Sequence, residues 1–267
     1  MNRIGFLITA RLRSTRLPRK LMLPLDGTTV IAKVIERALH VPQMESVVLC
    51  TSDLPGDDEL EAVAREHGIA CFRGSPEDVL VRLRDACRQF GYAGFVGITG
   101  ENPLFHPEHC AQTRDLLLSG ADLVRTTGLP VGCAVYGVSL AALDTICMFK
   151  EEADTEIWGY LLNRPEIFDV RTIEAEPHLV LPDIRLTIDY PEDLELMRAL
   201  FALHPGMPEL GEVIQELRSR SDLRPINSMR VQSDLDQATK DRLTAFFTLQ
   251  APEIRSELER QRMQSRP

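Results

Sequence analysis

Apolar residues fall in short bursts along this chain, and the bursts alternate with stretches whose apolar positions recur every three or four residues. Ile4 to Thr9 is the first burst; Ser46 to Thr51 and Ala93 to Thr99 repeat it. Runs of that length, apolar on both faces, predict buried strands. Between and after them a helical period predicts helices over Thr29–Leu39, Asp57–His67, Pro76–Phe90 and Pro107–Leu118. Gly68 is the expected stop of the second, and Ser75 the expected N-cap of the third. Shorter strands are expected at Ala70–Phe72 and Asp122–Arg125. Such alternation predicts an α/β fold on a mostly parallel sheet.

The later pattern is less regular. It predicts a strand at Ala134–Val138, a helix at Ser139–Phe149, a helix at Asp154–Leu162 and extended chain at Phe168–Ile173. A strand then returns at Arg185–Asp189, followed by a helix over Pro191–Leu203 with Pro191 at an early helical position. Asp234–Phe247 and Pro252–Met263 predict two polar, charge-laced helices. The expected division is therefore a main domain over 1–222 and a helical extension over 223–267.

Charge changes the picture at one place. The loop after the first strand carries Arg11, Arg13, Arg16, Arg19 and Lys20 without an acid, while the 267-residue chain is acidic at net −10. Six basic residues lie in the first twenty positions, so the remainder carries −16. A dense cationic loop at a strand's carboxyl end, on an acidic protein, points to a local polyanion, and a nucleoside triphosphate fits best. The acidic balance argues against non-specific nucleic-acid binding. Six cysteines without a C-x-x-C pair predict reduced thiols in a cytoplasmic protein. Neither a signal peptide's apolar stretch nor a run long enough to span a membrane is present, so no membrane association is expected.

Ligands of open α/β sheets bind outside the carboxyl ends of the strands. There the first strand delivers Ala10, Arg11, Arg13, Ser14, Arg16 and Lys20; the second delivers Thr51, Ser52 and Asp53. The third delivers Arg73, Gly74, Ser75 and Asp78, the fourth Gly100, Glu101 and Asn102, and the late strand Asp189. Arginine grips phosphate oxygens as a fork, and lysine acts as a mobile point charge. Mg2+ keeps one or two carboxylate ligands beside substrate phosphates, and Glu101 and Asp189 are the candidate pair. Plainer roles compete: Glu101 also suits turn capping, Asp189 before Tyr190-Pro191 also suits an N-cap, and Trp158 suits packing. His106, His109 and His178 show no ligand spacing and are expected at the surface or in the core. The first turn lacks G-x-G-x-x-G, so the pyrophosphate cradle of a Rossmann dehydrogenase is missing.

The stretch Thr9 to Lys20 resembles the A-R-x-x-S-x-R-L-P-x-K signature of the cytidylyltransferases, a group that includes CMP-Kdo synthetases, acylneuraminate cytidylyltransferases and the spore-coat-polysaccharide type. The likeness continues in Thr51-Ser52-Asp53, in Phe72 to Leu80, in Ile98 to Leu104 and in Leu186 to Leu196, and the spore-coat type is the most similar. It implies a Rossmann-like, GT-A-like nucleotidyltransferase domain, a three-layer α/β/α sandwich that uses CTP and Mg2+. It implies triphosphate binding by Arg11, Arg16 and Lys20, nucleoside contacts near Gly74 and Ser75, metal binding by Asp189 and Glu101, and a homodimer. Glu101 stands where the family usually has aspartate, and Arg13 and Arg19 where the spore-coat type commonly has glycine. The acceptor-side R-E-H-V-T segment becomes Thr155-Glu156-Ile157-Trp158-Gly159, with only Glu156 retained.

The expected reaction is CMP transfer from CTP to an anionic sugar acid, phosphate or phosphonate, with release of pyrophosphate. Arg11, Arg16 and Lys20 are the catalytic cations; Ala10, Arg13, Ser14, Ser52, Gly74, Ser75 and Gly100 complete the nucleotide site. Arg73, Arg125, Glu156 and Trp158 are the acceptor-side candidates. The alternatives are a nucleotidyltransferase using another nucleoside triphosphate and a non-catalytic nucleotide-binding homologue.

Overall fold

The computed structural model describes residues 3–41, 44, 46–152, 154–155 and 157–264. Its centre is a seven-stranded sheet built from β1 (Ile4–Thr9), β4 (Val47–Ser52), β5 (Ala70–Gly74), β6 (Gly94–Thr99), β7 (Leu123–Thr127), β8 (Tyr136–Ser139) and β9 (Val170–Glu174). The order is β5-β4-β1-β6-β8-β7-β9. Only β8 is reversed, pairing antiparallel with β6 and β7; every other neighbouring pair is parallel. The strand ends that carry the cationic loop and Glu101 therefore open on one rim.

Both faces of the sheet are covered, which is why the strands read as continuous apolar runs. Ile4, Phe6 and Ile8 of β1 pack on one side with α1 (Val30–Leu39), α2 (Asp58–Glu66), α4 (Glu108–Leu118), α7 (Pro191–Leu203) and α8 (Leu210–Ser219). Leu7 points to the other, with α3 (Val79–Phe90), α5 (Leu140–Phe149), α6 (Gly159–Leu162) and α9 (Gln237–Gln264). This is the expected three-layer α/β/α sandwich. A small hairpin of β2 (Pro24–Leu25) and β3 (Thr28–Thr29), unforeseen in the sequence, turns through Asp26 and Gly27, both at positive φ. Asp-Gly suits that primed turn.

Four expectations are corrected. Arg185–Asp189 is not a strand: it keeps one bridge, Val131 to Arg185, and then bends. The carboxylate of Asp193 accepts the backbone N–H groups of Asp189 and Tyr190 at 3.0 Å each, which removes them from any ladder. The two C-terminal helices are one, with Pro252 inside it. Phe247, Ala251, Ile254 and Leu258 continue a single buried stripe through the proline, and that packing outweighs the hydrogen bond proline cannot make. α3 starts at Val79 with Asp78, not Ser75, as N-cap; Asp78 Oδ1 accepts from Val81 N at 3.1 Å, while Ser75 Oγ accepts from Asp78 N at 3.1 Å. The helix expected over 154–162 shortens to α6, because Thr155 is drawn to α3, donating to Asp78 Oδ1 at 2.9 Å and accepting from Leu80 N at 3.1 Å.

Asp78 also binds the buried ammonium of Lys150. Asp78→Ala is therefore expected to cost more than the roughly 1 kcal/mol of a lost cap, because the buried Lys150 also loses its ion-pair partner among the described residues; a urea midpoint measures it. Gly132 sits at φ +96, where a Cβ would lie 2.8 Å from Leu186 O. Gly132→Ala is expected to destabilise by more than about 1 kcal/mol, measured the same way.

Candidate active site

β1 ends at Thr9 and the chain turns through Ala10 into the arginine loop, which closes on a 3-10 turn over Lys20–Met22. That turn buries Lys20 and aims its Nζ between two carboxylates, 2.8 Å from Asp189 Oδ1 and 3.4 Å from Glu101 Oε1. Arg16 Nη2 reaches the same Asp189 oxygen at 2.9 Å. On the far side of that carboxylate Arg185 Nη2 lies 3.1 Å from Oδ2. Glu101 arrives from the loop after β6, and its backbone oxygen accepts from Ile188 N at 3.1 Å, so the two metal candidates are tied side by side.

Asp193 was not foreseen as a site residue. It is buried, takes two backbone N–H groups as described, pairs with Arg185 at 3.3 Å and accepts from Asn227 Nδ2 at 2.8 Å. The legible signal was an acid at the third position of a helix, reaching back to the N-cap amide. With Tyr190 as the N-cap of α7, Asp189 lies outside the helix and its side chain faces the cations. The capping role weighed for Asp189 is thus taken by Asp193.

Lys20, Arg16 and Arg185 face Asp189, Glu101 and Asp193, three cations against three carboxylates. Burial opposes the charge of Lys20, but Glu101 and Asp189 outweigh it and hold its pKa above the usual lysine value of 10.5. Burial likewise opposes ionisation of Asp189, and Lys20 and Arg16 outweigh it, holding the carboxyl below 3.8. The signs fix a pH window. The Asp189 contribution to stability is present above 3.8 and lost as pH falls through its depressed native value. The Lys20 contribution is present below 10.5 and lost as pH rises through its raised value. Urea stability is expected to be flat from this pair between roughly pH 5 and 9 and to fall outside that range, and Asp189→Asn removes its share of the acid arm.

Arg11 donates to Pro76 O and sits 3.5 Å from Glu77; Arg13 lies 3.6 Å from the same side chain. They join the cationic loop to the segment carrying Gly74 and Ser75. Beneath that segment the buried Arg82 donates to Ser75 O at 2.7 Å. Ser52 bonds to Asp57, which also accepts from Leu12 N at 2.7 Å, so Ser52 acts through the loop's foundation. Ser14 Oγ accepts from Leu17 N at 3.4 Å inside the loop. Gly100 packs against Ala10, whose Cβ would stand 3.2 Å from an added one. Arg19 adopts φ 53, the left-handed conformation that favours glycine, and its guanidinium pairs with Glu59.

The acceptor-side candidates scatter. Arg73 is engaged by Asp58 at 2.7 Å, Glu61 at 3.0 Å and the carbonyls of Ser52 and Leu54, so it braces α2. Arg125 is exposed on β7 and donates to Thr172 at 3.3 Å on β9. Trp158 stacks edge-on against Tyr136 at 4.9 Å, and the Tyr136 hydroxyl is buried beside Thr9 and Glu101, so Trp158 is one ring from the rim. Glu156 lies outside the described residues. The chain beyond 222 reaches the rim as well: Gln232 Oε1 accepts from Arg185 at 2.6 Å and Ser233 Oγ from Arg16 at 2.9 Å.

A cytidylyltransferase family profile matches residues 6–218. The spore coat polysaccharide biosynthesis protein SpsF of Bacillus subtilis is 30% identical over 236 residues, covering 83% of this chain and 97% of that protein. The 3-deoxy-manno-octulosonate cytidylyltransferase of Polynucleobacter asymbioticus is 26% identical over 217 residues, covering 79% and 81%. A cytidylyltransferase structure from Leptospira borgpetersenii superposes with a TM-score of 0.78 at 24% identity, covering 88% of this chain and all of that one. That last likeness supports the fold.

Proposed function

The chain belongs to the cytidylyltransferase family, and from that premise we propose that it transfers CMP from CTP to a small anionic acceptor (a sugar acid, phosphate or phosphonate). An acceptor oxygen attacks the α-phosphorus, the bond to the β-phosphate oxygen breaks, and pyrophosphate leaves. The observation that carries this reading is Lys20 Nζ held between Glu101 and Asp189, with Arg16 on the same Asp189 oxygen.

Two carboxylates side by side are hard oxygen donors that fit Mg2+. When bound between Glu101 and Asp189, the ion would neutralise phosphate charge and align the α-phosphorus. The chain's own residues do the rest. Three cations face three carboxylates, so a bare triphosphate meets the charges of Glu101 and Asp189 as well as those of Lys20 and Arg16. Lys20 and Arg16 would turn to phosphate oxygens and to the charge that develops on the leaving group. In the nucleotide-free chain Glu101 and Asp189 outweigh burial and hold Lys20 as a cation. Arg11 and Arg13 extend the cationic surface, and Arg82 props the segment at Gly74 and Ser75 where the nucleoside is proposed to lie.

We take residues 1–222 as the catalytic domain and 223–267 as an extension that braces the rim through Gln232 and Ser233. A homodimeric cytoplasmic enzyme completes the proposal. All six cysteines are free, and no described helix is long and apolar enough to cross a membrane.

Pyrophosphate release from CTP across a panel of sugar acids, phosphates and phosphonates tests the reaction. At least one acceptor is expected to give Mg2+-dependent turnover that UTP, GTP and ATP do not support. Silence with every acceptor, together with tight CTP binding, would favour a binding protein instead.

A further inference from the structure

We propose that His106, His109 and Glu176 form a second cation site, one for a zinc-class divalent transition ion. One ligand atom from each of the three lies within 4.8 Å of the other two. His106 precedes α4 and His109 lies in its first turn, so the helix start presents both rings on one side; Glu176 follows β9. The rings meet edge to face with centroids 4.5 Å apart, and His109 Nε2 lies 3.1 Å from Glu176 Oε2.

Two nitrogens in this pair lack the partner that burial demands. His106 is 7% exposed and His109 fully buried, yet His106 Nε2 and His109 Nδ1 have no hydrogen-bond partner. Buried polar atoms are normally satisfied, and an orphaned imidazole nitrogen beside a second imidazole and a carboxylate is a ligand set awaiting a cation. Two imidazoles and one carboxylate suit Zn2+ and its neighbours better than Mg2+, which prefers oxygen. Glu108, 3.8 Å from His106 Nε2, stands where a fourth ligand would come from.

In the sequence these histidines show no ligand spacing, because the third ligand is about seventy residues away and only β9 brings it near. An ion here would clamp the loop that runs from Glu101 into α4 onto the end of β9. The site is thus structural support for one carboxylate of the rim, built from residues the reaction does not use.

Titration of the chelator-treated full chain with Co2+ tests it, followed by displacement with Zn2+. One Co2+ equivalent with the intense visible absorption of a four-coordinate site containing nitrogen ligands is expected, bleached by Zn2+; Co2+ on the all-oxygen pair Glu101 and Asp189 would absorb only weakly. His106→Asn and Glu176→Gln are each expected to weaken binding by at least about tenfold, while Asp189→Asn leaves the spectrum intact. His109 is wholly buried and its replacement risks the fold; Glu176 is part exposed, so Glu176→Gln tests the site in a folded chain, verified by its melting transition. No such spectrum at millimolar Co2+, or a spectrum unchanged in His106→Asn and Glu176→Gln, or one lost in Asp189→Asn, overturns the assignment. None of these readouts involves CTP, so failure here is separable from failure of the transferase reading.

Discussion

Asp189→Asn is expected to lower kcat/KM for CMP transfer by about 10³-fold and to destabilise the chain at the same time. The substitution keeps the shape and removes one charge. That charge is the shared partner of Lys20, Arg16 and Arg185, at 2.8, 2.9 and 3.1 Å. It is also one of the two oxygen donors proposed for the metal. Removing one member of a buried ionic cluster typically costs about 3–5 kcal/mol. The lower end applies here, because Lys20 retains Glu101 and Arg185 retains Asp193. Activity and stability are separable by assaying well below the variant's melting temperature. Full activity there would remove Asp189 from the metal site.

Lys20→Met is expected to lower kcat/KM by roughly 10²–10³-fold, with most of the loss in kcat. Among the described residues Lys20 is the cation aimed at both carboxylates, so it is proposed to move to phosphate oxygens where leaving-group charge develops. A cation needed chiefly in the transition state affects kcat more than binding. Lys20→Arg is not expected to rescue. The 3-10 turn buries the side chain, and its compact ammonium points at both Glu101 and Asp189, a geometry that a planar fork does not reproduce. Steady-state kinetics of both variants with the active acceptor measure this. Recovery in Lys20→Arg would mean that any cation at the rim suffices.

The candidate rim is legible in the sequence because its residues follow strands that announce themselves. Ile4–Thr9 and the run ending at Thr99 are apolar on both faces, so their carboxyl ends, and hence Lys20 and Glu101, could be placed on one edge. Asp189 was placed on the same rim for the wrong local reason. It is carried not by a strand but by a bend pinned through Val131, Glu101 and Asp193. Periodicity cannot distinguish that bend from a buried strand, since residues 184–189 are all buried whichever form they take. Asp57 has no sequence signal because its backbone partner, Leu12 N, is 45 residues away; Asp193 and Arg82 bond to backbone groups only three to seven residues away, and what the sequence hides is that these bonds face the rim. Arg73 and Arg125 carry the right charge at strand ends, yet their partners lie on α2 and β9. Which way a side chain turns depends on neighbours that only the folded chain assembles. The continuous α9 was hidden for the opposite reason: a strong local signal, Pro252, lost to tertiary packing along Phe247, Ile254 and Leu258.

Thermal unfolding with CTP, UTP, GTP and ATP, each with and without Mg2+, tests the central claim most directly, because it needs no acceptor. At 100 times its dissociation constant a ligand stabilises the native state by about 2.7 kcal/mol. The account predicts a melting shift with CTP that requires Mg2+, is much smaller with the other three nucleotides, and disappears in Asp189→Asn. Equal shifts with all four nucleotides, or a CTP shift indifferent to Mg2+ and to Asp189→Asn, would contradict it.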